Sequence, residues 1–126
     1  MTLLQECIGA LKPNIEIIKG DDSNKLFKSF EKLFVFTEYG RIDWSYYKDK
    51  LTVKSLNDLY NLPIEKCTIF WNDDSLPVIK TDFKLLLDNI DDVLAVSFDT
   101  WVLSESNDIV IEFFHDDKIQ IVNLTD

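Results

Sequence analysis

The chain has 126 residues, 46% of them hydrophobic and 29% charged, which suits one domain, residues 1–126, with a core of its own. That apolar share excludes a disordered chain, and no apolar run approaches the ~18 residues of a membrane-crossing helix. Thirteen basic against 23 acidic residues give a net charge of −10, and residues 64–126 hold the whole imbalance, with fourteen acidic side chains and four lysines. Phosphate backbones are bound by cations that displace counterions, so this half is expected to repel nucleic acid.

Counting removes several chemistries. One histidine, His115, and two cysteines, Cys7 and Cys67, do not make a zinc site on their own. The cysteines lie sixty residues apart with no C-x-x-C spacing, and two buried free thiols in a cytoplasmic protein are expected. Gly9, Gly20 and Gly40 form no phosphate-cradling loop. The first ten residues contain Glu6 and no basic side chain, unlike a secretory leader.

In chain order, Leu3, Leu4, Cys7, Ile8 and Leu11 recur at helical spacing, and Pro13 should end that helix. Residues 14–19 alternate briefly and read as a short strand or an extended connector. Asp21 or Ser23 is expected to cap a second helix with a stripe of Leu26, Phe27, Phe30, Leu33 and Phe34, ending near Gly40. Residues 37–50 fit helix and strand equally and are expected to be irregular or a short strand. Ser55 with Asp58 suggests a capped short helix stopped before Pro63.

From Lys66 onward the chain reads as strands. Residues 66–71 alternate, Asn72-Asp73-Asp74-Ser75 is a turn by composition, and residues 76–80 return. Thr81 or Asp82 should cap a helix through Phe83, Leu86, Leu87 and Ile90. Residues 93–103 are apolar on both alternating faces, as in a central strand covered twice. Two further strands flank the acidic loop His115-Asp116-Asp117. The class is α+β: an antiparallel sheet of about four to five strands in the C-terminal half, with helices on at least one face.

Four aspartate pairs, 21/22, 73/74, 91/92 and 116/117, have the makings of acid–base or metal chemistry. All fall at expected turns or helix ends, where aspartate is favoured for local geometry. Residues 72–75 lack the spacing and glycine of a calcium loop, and no serine or cysteine is tied to His115 by a signature. No catalytic, cofactor-binding or metal-ligating residue is therefore assigned. Trp44, Tyr46 and Tyr47 lie in the least regular stretch, and aromatics are enriched in interface hot spots. Asp99 and Trp101 are expected on one strand face, either packed or presenting a carboxylate beside an indole.

The segments Arg41-Ile42-Asp43-Trp44, Thr68-Ile69-Phe70-Trp71-Asn72-Asp73-Asp74-Ser75-Leu76-Pro77-Val78, Val96-Ser97-Phe98-Asp99-Thr100-Trp101 and Val110-Ile111-Glu112-Phe113-Phe114-His115 together resemble immunity proteins of bacterial contact-dependent growth inhibition systems (CdiI-type). The resemblance covers roughly residues 26–122 of the chain. It implies a cytoplasmic, non-enzymatic protein that binds a toxin's C-terminal nuclease domain and blocks its active site or nucleic-acid groove. A basic nuclease surface complements acid, so the charge map nominates Asp73, Asp74, Asp91, Asp92, Asp116 and Asp117 as partner contacts, with Trp44 and Tyr47 as aromatic anchors. The alternatives are a small carboxylate- or metal-dependent hydrolase and an acidic nucleic-acid-mimic adaptor. The even charge of the first half argues against a mimic.

Overall fold

A reciprocal cap starts the first helix. Gln5 N–H donates to Thr2 Oγ1 (3.1 Å), and Thr2 N–H donates back to Gln5 Oε1 (2.9 Å), so two otherwise orphaned amides are satisfied. Helix α1 runs Leu3–Leu11, and Lys12 is extended at its end, as the proline that follows demands. The computed structural model describes residues 2–34, 42, 43, 45, 51–53, 55–73, 75–97, 99–113 and 119–123.

Strand β1 (Ile15–Ile18) leads directly into helix α2 (Gly20–Lys32). Gly20 makes that reversal with φ of 64°, a conformation that costs an L-residue roughly 1–2 kcal/mol. The cap of α2 is Lys19 without a side-chain bond, not Asp21 or Ser23, and the Ser23 hydroxyl donates to Gly20 O instead (2.8 Å). The helix also stops at Lys32, well short of Gly40, and Leu33 is 42% exposed rather than part of the buried stripe. Beyond strand β2 (Leu51–Val53), Ser55 caps a 3-10 helix, Leu56–Asn61, by accepting from Asn57 N–H.

Strands β3 (Lys66–Trp71) and β4 (Val78–Asp82) form the expected hairpin. The following helix is split at Asn89 into α3 (Phe83–Asp88) and α4 (Ile90–Leu94), so Val93 and Leu94 are helical. The long strand is accordingly only β5 (Thr100–Ser104). Strands β6 (Ile109–Phe113) and β7 (Ile119–Asn123) pair in the expected antiparallel register.

Among the described residues the sheet has seven strands, all antiparallel, in the order β1-β4-β3-β5-β6-β7-β2. The class is α+β with one antiparallel sheet, but with more strands than four to five. The extra strands are β1 and β2, drawn from the first half to extend the two edges. Central β5 is buried along its whole length, because helices cover both faces. On one face Cys67, Ile69, Trp71, Val102 and Ile111 pack with Cys7 and Leu11 of α1, Leu86 of α3 and Val93 of α4. On the other, Phe70, Trp101, Leu103 and Val110 pack with Phe30 of α2 and with Phe34 and Ile42. There the Phe30 ring stacks on Phe70 with centroids 4.4 Å apart.

Candidate partner-binding surface

The sheet delivers several acidic groups to one of its ends. Trp71 closes β3 there beside Thr100, which pairs with Phe113 at the end of β6, which in turn pairs with Ile119 at the start of β7. Ile18, at the end of β1, pairs with Val78 at the start of β4. The 72–77 turn, the approach to β5 through Asp99 and the first turn of α2 with Asp21 and Asp22 all leave from this end. A cavity of about 460 Å³ lies where Gln5 and Ile8 of α1 meet Gly20 and Asn24 of α2 and Leu76 of the turn.

Asp73 is exposed in that turn, and its Oδ1 accepts from Ser75 N–H (2.9 Å) and Ser75 Oγ–H (2.6 Å). These bonds hold its carboxyl below the usual carboxylate range. Asp91 and Asp92 are exposed in the first turn of α4. The Trp71 indole N–H donates to Val93 O (3.2 Å) and so ties α4 to the end of β3. Asp92 faces α1: burial, and then the Asp92 charge, push the Cys7 thiol up to about 11. Asp73, Asp91 and Asp92 thus share one region of the molecule. Trp44, Tyr47, Asp74, Asp116 and Asp117 lie outside the described residues, as do Tyr46 and His115.

The flanks of Trp44 are defined. Asp43 Oδ1 accepts from Ser45 N–H (3.1 Å) and Ser45 Oγ–H (2.6 Å). Ile42 N–H donates to Glu112 Oε2 (3.0 Å), which also accepts the Trp101 indole N–H at 2.5 Å. Trp101 is therefore a core residue, fully buried, and not an indole displayed beside Asp99. Asp99 precedes the strand and uses its carbonyl to accept from Asn72 N–H. The sequence reading missed Glu112, which is 1% exposed. Its signal was a lone acid between Ile111 and Phe113 in an apolar strand, since a carboxylate buried there requires hydrogen-bond donors.

A groove of about 690 Å³ opens at the other end, between α2 and the wing of β1, β4 and β3. Its floor carries opposite charges directly across the strands, Glu16 beside Lys80 and Lys66 beside Asp82, as an uncovered sheet face does. Cys67 lines it, but burial and then Asp82 push its thiol up to about 12, so it carries no thiolate nucleophile at neutral pH. Both cysteines are free and buried. Among the described residues no three His, Cys, Asp or Glu side chains are grouped to hold a metal, and no helix is long and apolar enough to cross a membrane.

No curated protein matches the chain. A family model described as CdiI immunity protein, EcoliA0-like, matches residues 1–122, extending the resemblance back through α1, β1 and the start of α2. The hydrogen-bonded acidic end, the buried Trp101–Glu112–Ile42 junction and the two-sided sheet are accordingly features of a chain that belongs to the CdiI immunity protein family.

Proposed function

We propose that the protein neutralises the toxin domain of a contact-dependent growth inhibition system by binding it, without performing chemistry of its own. The family match over residues 1–122 carries this reading. The mode of binding is read from charge. Asp21, Asp22, Asp73, Asp91 and Asp92 are exposed and come from three separate elements at or near one end of the sheet, a placement suited to a partner whose active surface is cationic. A nuclease domain has such a surface because it must hold phosphates. On this reading Asp73, Asp74, Asp91, Asp92, Asp116 and Asp117 steer the encounter, and Trp44 and Tyr47 anchor the docked complex in the cytoplasm of the producing cell. The toxin's active site or nucleic-acid groove is thereby covered.

The test is protection together with stoichiometry. Cells expressing the cognate toxin's C-terminal domain should survive when this chain is co-expressed. The purified pair should form a 1:1 complex in which the toxin's nuclease activity is lost. Survival without complex formation, or turnover of a substrate by this chain alone, would contradict the proposal.

A further inference from the structure

Strand β1 is an edge of the sheet. Among the described residues it pairs with β4 alone, and no strand lies on its other side. None of its residues is buried, whereas β5 and β6 are buried throughout. On such an edge every second N–H and C=O points away from the sheet, a template for another extended chain. Edges of this kind are usually blunted by lysine or proline. Ile15-Glu16-Ile17-Ile18 holds three isoleucines and neither of these, and Pro13 and Lys19 fall just outside it.

The strand also runs between the two cavities. Asn14, Ile15 and Glu16 line the groove of about 690 Å³, while Lys19 and Gly20 line the cavity of about 460 Å³ at the acidic end. Register says what kind of chain fits the edge. Glu16 stands in a row with Lys80, Thr68 and Leu103, and a basic residue placed outside Glu16 continues the alternation of charge that Lys80 begins. A second copy of this chain fits poorly. Two identical antiparallel edges are related by a twofold axis through the sheet. The registers that keep β1 paired with itself, centred on Glu16 or on Ile17, set Glu16 against the copy's Glu16 or Ile18, and two chains of net charge −10 repel each other.

We propose that the toxin domain adds an extended segment to the outer edge of β1, with a basic residue opposite Glu16. The inference rests on the toxin-binding reading above and gives it a main-chain component. Strand β1 ends at the acidic end, where Asp21 and Asp22 follow in α2, so a cationic partner drawn there meets the unpaired edge.

The experiment follows exchange of the β1 amides in the full chain, alone and with the cognate toxin domain. Kd is measured for wild type, Glu16→Arg, Ile17→Lys and Asp58→Arg. In the free chain the amides should fall into two alternating sets, one protected by β4 and one unprotected. The toxin domain should slow the unprotected set by at least about tenfold. Glu16→Arg and Ile17→Lys should each weaken binding by about tenfold, whereas Asp58→Arg, the same charge change on the 3-10 helix, should stay within about threefold. Unchanged exchange of that set in a complex that forms, or equal losses in Glu16→Arg and Asp58→Arg, would overturn the inference while leaving toxin binding intact. Protection of the set in the chain alone, at the mass of two copies, would overturn it in favour of self-pairing. A wild-type chain that does not bind the toxin domain would overturn both readings. Should Ile17→Lys fail to fold, amide exchange in wild type and the Kd of Glu16→Arg decide.

Discussion

Replacing Trp71 with phenylalanine strikes the point where β3 is tied to α4. Trp71 is 2% exposed, and its indole N–H donates to Val93 O at 3.2 Å. Removing that bond costs about 1 kcal/mol net. The full penalty for an orphaned carbonyl does not apply, because Val93 O also accepts from Val96 N–H at 3.4 Å. The smaller ring leaves a partly filled space against the core, worth roughly 1–2 kcal/mol, below the ~3–5 kcal/mol of deleting the whole side chain. The expected total is about 2–3 kcal/mol. For a chain of this length each kcal/mol moves Tm by roughly 3–5 °C, so the variant should melt about 6–15 °C lower. Thermal unfolding followed by far-ultraviolet circular dichroism reads this directly. A fall of less than about 3 °C would mean that the bond and the ring hold nothing together, and the link between Asp73 and the acidic turn of α4 would have no energetic basis.

Other outcomes follow from burial and hydrogen bonding. Phe30→Ala should cost about 3–5 kcal/mol in denaturant unfolding, because Phe30 is 1% exposed and stacks on Phe70, whereas Leu33→Ser should stay within about 0.5 kcal/mol. Thiol titration should count two cysteines in denaturant and almost none in the native protein at pH 8, since burial pushes the thiols up to about 11 and about 12. Those raised values also mean that the thiols favour the folded state below their unfolded pKa, a contribution lost as pH rises from about 9 toward 12. Asp108 runs in the opposite direction. Hydrogen bonds from the Ser104 and Ser106 hydroxyls lower its pKa, so its stabilisation is present above the unfolded value and lost as pH falls through the folded one. Asp108→Asn should therefore flatten the loss of stability in acid below roughly pH 4, as measured by melting curves at stepped pH.

Much of the fold was legible because periodicity and local chemistry agreed. The stripe of Cys7 and Leu11 and the proline behind it marked α1, and the two-sided apolar pattern of residues 93–103 marked a central strand, although only its second part, from Thr100, forms β5. The failures have physical reasons. Val93 and Leu94 continue the apolar pattern into β5, but α4 has already bent them into a helical turn, and alternation does not distinguish the two over so short a run. Strands β1 and β2, only four and three residues long, gain their identity from β4 and β7 rather than from their own sequence. Leu33 has helical spacing but falls just beyond the helix, where the chain turns it outward. The acidic end was legible as charge but not as a place, because only the direction and register of the strands bring the segments with Asp21, Asp73 and Asp99 to one end of the sheet. Glu112 was one acid among the fourteen of residues 64–126 until the register placed it beside Trp101.

The central claim is that this chain binds a cationic toxin domain through its acidic end, and stopped-flow association tests it most directly. Wild type and a variant with Asp73, Asp91 and Asp92 changed to asparagine are mixed with the toxin domain at low and high salt. Steering acts over the Debye length, which shrinks from ~10 Å at 0.1 M to ~3 Å at 1 M. Wild-type k_on should therefore fall steeply with salt, and the variant should start about tenfold slower with a shallower dependence. Equal rates for the two proteins, unchanged by salt, would contradict the account and leave the acidic end as a solvated surface only.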